Sequence, residues 1–190
     1  MRTIILIALS VLASSAQEAG KTVWRQATVS ATIEGPTLSD ASQSKAESFI
    51  RTGEGLSSFS LTLGKALQTG GDVTLAALFR ESSVEVYLTG SRLNTLGAVV
   101  PKSVTAKQAE EGFLRSPNPL KIGHYYLVAS PGLFTVLQAV DVKITDRKNG
   151  LPRKGFGENA RATIELSFRY LQPQGKIESL NALLSEARDR

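Results

Sequence analysis

From Ala162 to Tyr170 the even positions read Ala, Ile, Leu, Phe and Tyr, while Thr163, Glu165, Ser167 and Arg169 hold the odd ones. This period of two belongs to a strand with one dry and one wet face, because successive side chains of a strand leave on opposite sides. Phe134 to Ile144 repeats the pattern, with Phe, Val, Gln, Val, Val and Ile at its even positions. The polar stretch between the two runs closes a long C-terminal hairpin. A slip of one residue would turn every apolar side chain of either strand to water, so the pairing is tightly specified. Whatever else the chain does, it must build a sheet around these two strands.

The remaining segments supply more strands and a few helices. Val23, Ala27, Val29, Ala31 and Ile33 alternate with polar residues up to Gly35-Pro36, and proline cannot continue a ladder. Asp40 is placed to cap a helix running to about Arg51, with Ala41, Ala46, Phe49 and Ile50 on its apolar side and Gly53 as its stop. Phe59 to Leu63, Val73 to Phe79, Val84 to Leu88 and Leu96 to Val100 are short β-favouring runs. Gly70-Gly71, Gly90 and Pro101 punctuate them as a meander, although Val73 to Phe79 also fits a helix. Thr105 and Gln108 form a capping box ahead of Ala106, Ala109 and Phe113, and Pro117 and Pro119 end that helix. Ile122 to Ser130 reads as a strand. Ile177, Leu180, Leu184 and Ala187 share one stripe of a C-terminal amphipathic helix. The expected class is α+β, a mainly antiparallel sheet of about six to eight strands with two to three covering helices.

Met1-Arg2, an apolar run from Ile4 to Ala13 and Ser14-Ser15-Ala16 before Gln17-Glu18 have the parts of a secretory signal peptide. Residues 1–16 are therefore expected to be removed, leaving 17–190 as a single α+β domain that is exported and periplasmic or secreted. The apolar run is about half the roughly 20 residues that a spanning helix needs, so no membrane anchor is expected after cleavage. The chain has no cysteine, which removes disulfides, thiolate metal sites and a cysteine nucleophile. No asparagine stands in an N-x-[ST] sequon, which favours a bacterial envelope over a glycosylated exterior.

The formal net charge is +5, and loss of Arg2 leaves 21 basic against 17 acidic residues. Lys143, Arg147, Lys148, Arg153 and Lys154, with Asp146 as the one acid between them, carry that whole excess of +4. A localised excess argues against a nucleic-acid-binding face and for one basic hairpin loop that meets an anionic envelope polymer or protein partner.

Chemistry-bearing motifs are few. Gly155, Gly157 and Ala160 spell G-x-G-x-x-A, but a dinucleotide fingerprint follows a strand and opens a helix, whose amide groups hold the pyrophosphate. Here a loop precedes a strand, so the glycines serve a turn and no cofactor is expected. Ser42-x-x-Lys45 lacks the companion elements of the serine acyl-enzymes. His124 is the single histidine, which excludes a multi-histidine metal site. Beside Tyr125 and Tyr126 it is the one candidate general base. Trp24 falls on the polar side of its strand, either facing a partner or roofing a second small core.

These observations point to a non-enzymatic exported binding or assembly protein. A small hydrolase or transferase using His124 with Tyr125 and Tyr126, and an envelope subunit joining neighbours through sheet edges, are the alternatives. Replacing Arg147, Lys148, Arg153 and Lys154 by serine should sharply reduce retention on an anionic matrix in a salt-dependent way, since released counterions drive such binding. Equal retention of parent and variant would make the segment a solvated turn.

Overall fold

The computed structural model describes residues 23–35, 37–38, 50–80, 82–116, 118–148 and 160–188. In chain order they form β1 (Trp24–Gly35), β2 (Thr37–Leu38), β3 (Arg51–Thr52), β4 (Ser58–Ser60), β5 (Lys65–Leu67), β6 (Val73–Arg80) and β7 (Val84–Gly97). Then come α1 (Ala106–Glu110), β8 (Phe113–Arg115), β9 (Tyr125–Ser130), β10 (Leu133–Lys148), β11 (Ala160–Leu171) and α2 (Ile177–Arg188). All eleven strands belong to one sheet, ordered β1-β11-β10-β9-β7-β6-β4-β5, with β2, β3 and β8 as side branches. Every pairing is antiparallel except that of β2 with β6.

The sheet curls until its ends nearly meet. On the edge away from β7, β6 pairs in turn with β4, β3 and β2. Just beyond β3, the Glu54 amide donates to the Thr32 carbonyl of β1 at 2.9 Å, so the branch on β6 reaches back to the first strand. Gly53 makes that approach possible. A Cβ there would lie 2.7 Å from Ala31 and Ile33 side-chain carbons and 2.8 Å from the Thr32 carbonyl, closer than side chains tolerate.

Closure gives the sheet an inside. Val29, Ala31 and Ile33 of β1 meet Leu75, Ala77 and Phe79 of β6 and the even residues Ala162 to Tyr170 of β11, all buried. Phe59 packs edge-on to Phe168 and Tyr170 at ring distances of 5.2 and 5.7 Å. The alternation of β1 and β11 is thus realised as expected. A second apolar layer lies outside the curl, where Leu180 and Leu184 of α2 and Ala109 of α1 bury Leu127, Ala129, Val136 and Leu171. Within this outer layer Asn181 of α2 holds the segment before α1, its amide accepting from the Val104 N–H at 2.8 Å and donating to the Val104 carbonyl at 3.0 Å.

Several expectations change. β10 does not have one wet face: Val136 is buried in the outer layer while Leu137 and Ala139 are buried in the inner one. Its register then slips between Ala139 and Asp141, which turns Val140 outward and brings Val142 back against the inner core. The even-numbered apolar residues therefore divide between two cores. Val73 to Phe79 is a strand. Gly90, at φ +101°, does not end one strand before another; it bends a single β7, which pairs with β6 up to Thr89 and with β9 from Arg92.

Thr105 and Gln108 make both bonds of the capping box, yet α1 stops at Glu110 rather than near Pro117, and Phe113 enters β8 with 60% exposure. Arg51, expected at the end of a helix, is in β3; residues 39–49 of that helix lie outside the described residues. β9 begins only at Tyr125, because Ile122 and Gly123 form a turn. The antiparallel pairing of β10 with β11 runs from Leu137–Tyr170 to Lys148–Arg161, and the segment joining them lies outside the described residues. Among the described residues no helix is long and apolar enough to cross a membrane.

The closure contact makes a direct prediction. Gly53→Ala should lose about 1–3 kcal/mol by overpacking, whereas Gly35→Ala, whose nearest contacts would be an ordinary 3.4 Å, should lose clearly less. Denaturant unfolding of the two variants compares them.

Candidate functional site

The candidates His124, Tyr125 and Tyr126 do not converge. Tyr125 packs in the outer layer and Tyr126 in the inner core, as neighbours on a strand must. The Tyr126 hydroxyl accepts from the Lys121 amide at 2.9 Å, and burial raises its pKa. His124 precedes β9, its Nδ1 buried and without a hydrogen-bond partner. Among the described residues no group of His, Asp and Glu is arranged to hold a metal ion.

Of the basic candidates, Lys143, Arg147 and Lys148 fall within the described residues. Lys143 lies 3.3 Å from Glu165 across the β10–β11 pair, Arg147 is exposed on β10, and β10 ends at Lys148. Arg153 and Lys154 lie outside the described residues. Between β1 and β11 the same face also carries Thr32 with Thr163 at 3.1 Å, Thr28 with Ser167 at 3.3 Å, and the ion pair of Arg161 with Glu34 at 3.8 Å.

A cavity with a mainly apolar lining lies elsewhere, on the outside of the curl. A groove of about 490 Å³ runs between α1 and the turn joining β9 to β10, floored by Ala129 and Phe134 and walled by Ala106, Ala109 and Leu114. Its construction follows from the bend at Gly90. Where β7 bulges, Ser91 is buried and its hydroxyl donates to the Asp72 carbonyl at 2.5 Å. With that proton committed, the 2.5 Å contact between Ser91 and Ser130 must use the Ser130 proton. Ser130, itself in the lining, keeps acceptor capacity but has no proton left to give.

α1 has only five residues and would not persist alone. Arg92 donates to the Glu110 carbonyl and Asn94 to the Gln108 carbonyl at 3.1 Å, so β7 satisfies carbonyls that a helix end leaves open. One side of the groove is thereby fixed in place. Its lining contains neither histidine nor lysine; its charged residues are Arg92, which donates to the Glu110 carbonyl, and Glu110, an exposed residue of α1. Among the described residues the Ser91 and Ser130 hydroxyls bond to the Asp72 carbonyl and to each other, not to a base. The arrangement can hold an apolar group and offer it an acceptor. Leu114 is 75% exposed beside it, an apolar side chain that water alone does not favour.

The sequence placed Ala106, Ala109 and Phe134 in regular elements but marked none of the lining residues as a site. The trace they leave is Gly90 inside a β-favouring run, the usual sign of a bulge, followed by Ser91 and Arg92. No family model, curated protein or solved structure matches the chain.

On the outer face of β6 and β7, Arg80 bonds Glu85 at 3.2 Å and the Tyr87 hydroxyl donates to the same carboxylate at 3.0 Å. Burial first, and then the Glu85 carboxylate, push the Tyr87 hydroxyl up to about 12. The unfolded chain would ionise Tyr87 near its ordinary value of about 10, so the native state holds this proton more tightly. Its contribution is present in full below that value and is lost as pH rises toward 12. Tyr87→Phe should therefore flatten the alkaline fall in stability above pH about 10, measured by denaturant unfolding across that range. Tyr126 acts in the same direction and remains in the variant.

Proposed function

We propose that the chain is a non-enzymatic binding protein, exported by its leader-like N-terminus, and that the groove beside α1 takes an uncharged apolar small molecule. One observation carries this reading: an open cavity of about 490 Å³, lined mostly by carbon, whose polar lining residues Ser91, Ser130 and Arg92 are engaged in hydrogen bonds that keep it in shape. Pockets of a few hundred cubic ångströms with a small number of placed polar groups are the usual form of small-molecule sites. The groove meets that description with Ser130 as its acceptor, so the preferred ligand has an apolar body and one N–H or O–H donor. The basic residues of the β10–β11 connection would add attraction for an anionic envelope surface, bringing the protein close to where apolar molecules are held.

A neutral, environment-sensitive dye such as Nile red tests the site. Saturable fluorescence enhancement is expected with the parent chain. Ala106→Trp, which fills the groove from an exposed position of α1, should weaken it about tenfold or more while leaving the unfolding midpoint unchanged. Equal binding by parent and variant would remove the groove as the site.

A further inference from the structure

Four strands bring one row of side chains together on the outer face. Register places Gln26 of β1 beside Arg169 of β11, Arg169 beside Gln138 of β10, and Gln138 beside Tyr125 of β9. The Arg169 guanidinium is held from three directions. Its Nε donates to Gln138 at 2.6 Å, its Nη2 donates to the Tyr125 hydroxyl at 3.0 Å, and its Cζ stands 4.7 Å from the centre of the Trp24 ring. Gln138 is fixed in turn by donating to the Gly123 carbonyl at 2.8 Å, and Trp24 leans on Tyr125 at 5.8 Å.

Every one of these partners is neutral. Elsewhere on the same face Lys143 is matched by Glu165 and Arg161 by Glu34, but Arg169 makes no ion pair among the described residues. A partly buried positive charge without a counter-charge is costly, and a guanidinium has five donors, of which the bonds above use two. Trp24 covers one side. One row along the strands, and so about 7 Å away, lies a cavity of about 260 Å³ lined by Gln26, Thr28, Val140 and Ser167 among others. A single preorganised fork, a single uncompensated charge and hydroxyl groups one row away fit a planar monoanion.

We infer that Arg169 is the charge-bearing residue of a carboxylate-binding site, with the free guanidinium edge taking the carboxylate and the cavity beside it taking the rest of a small polar molecule. Planarity favours a carboxylate, whose two oxygens match the fork. A phosphate dianion would want a second cation, and no ion-pair or hydrogen-bond partner of the row supplies one. This site is independent of the apolar groove.

Trp24 is the only tryptophan of the chain, so its fluorescence reports on the guanidinium stacked against it. Acetate should change that fluorescence saturably, while chloride at matched ionic strength should not, and inorganic phosphate should act more weakly than acetate. Arg169→Gln should abolish the acetate response, and Arg169→Lys, which keeps the charge but loses the fork, should weaken it about tenfold. Because Arg169 also joins strands, Ser167→Ala provides a variant in the cavity that leaves the clamp intact; it should leave the acetate response in place and weaken that of glycolate, whose hydroxyl reaches toward the cavity. Identical responses of the parent to acetate and chloride would overturn the site, as would an acetate response that survives in Arg169→Gln.

Discussion

The rest of the structure depends on the contact that lets the sheet close, where Gly53 passes under β1 and the Glu54 amide reaches the Thr32 carbonyl. An open sheet of this width would expose two apolar faces, and α1 and α2 could cover only a part of one. Curling removes one face from water altogether. The residues that become interior, Phe59, Phe168 and Tyr170 among them, then need no helix above them. The helices are released to cover the outer face of β9 and β10, which is where Leu180 and Leu184 are found.

That division explains why β10 is buried on both sides over part of its length and not beyond it. Near Val136 it lies under the outer layer and over the inner one. Past the register slip at Val140 the outer layer ends, and the outward positions turn to Asp141 and Lys143. Bulges commonly re-aim side chains where a strand changes environment. Gly90 plays the matching part in β7, letting one strand serve β6 and β9 in succession and opening the space that becomes the groove.

Function, on this reading, belongs to the outside of the curl. The inner core is packed with aromatic and aliphatic side chains, while the outer face carries an apolar groove at one place and a neutral-partnered arginine at another. The two differ in chemistry. In one, hydrogen bonds occupy the polar groups of the lining and mostly carbon faces the groove; the other leaves a charge without an opposite among the described residues. Both are held by side chains from several strands, which gives rigid geometry without a loop having to order on binding.

The period of two in β1 and β11, the capping box at Thr105 and the stripe from Ile177 to Ala187 were legible in the sequence, because each is set by neighbours a few residues apart. So was the class, an α+β chain with a mainly antiparallel sheet. Candidate site residues were legible only as types: a lone histidine, paired tyrosines, a run of cations. Which of them meet was not, since His124, Tyr125 and Tyr126 diverge, while Trp24, Tyr125, Gln138 and Arg169 come from strands up to 145 positions apart. Local sequence fixes which side of a strand a residue takes, but a row across four strands exists only after their registers are set. Those registers follow from closure and from the bulges at Gly90 and Val140, whose energetics are those of long-range packing, and so the tertiary structure alone decided them.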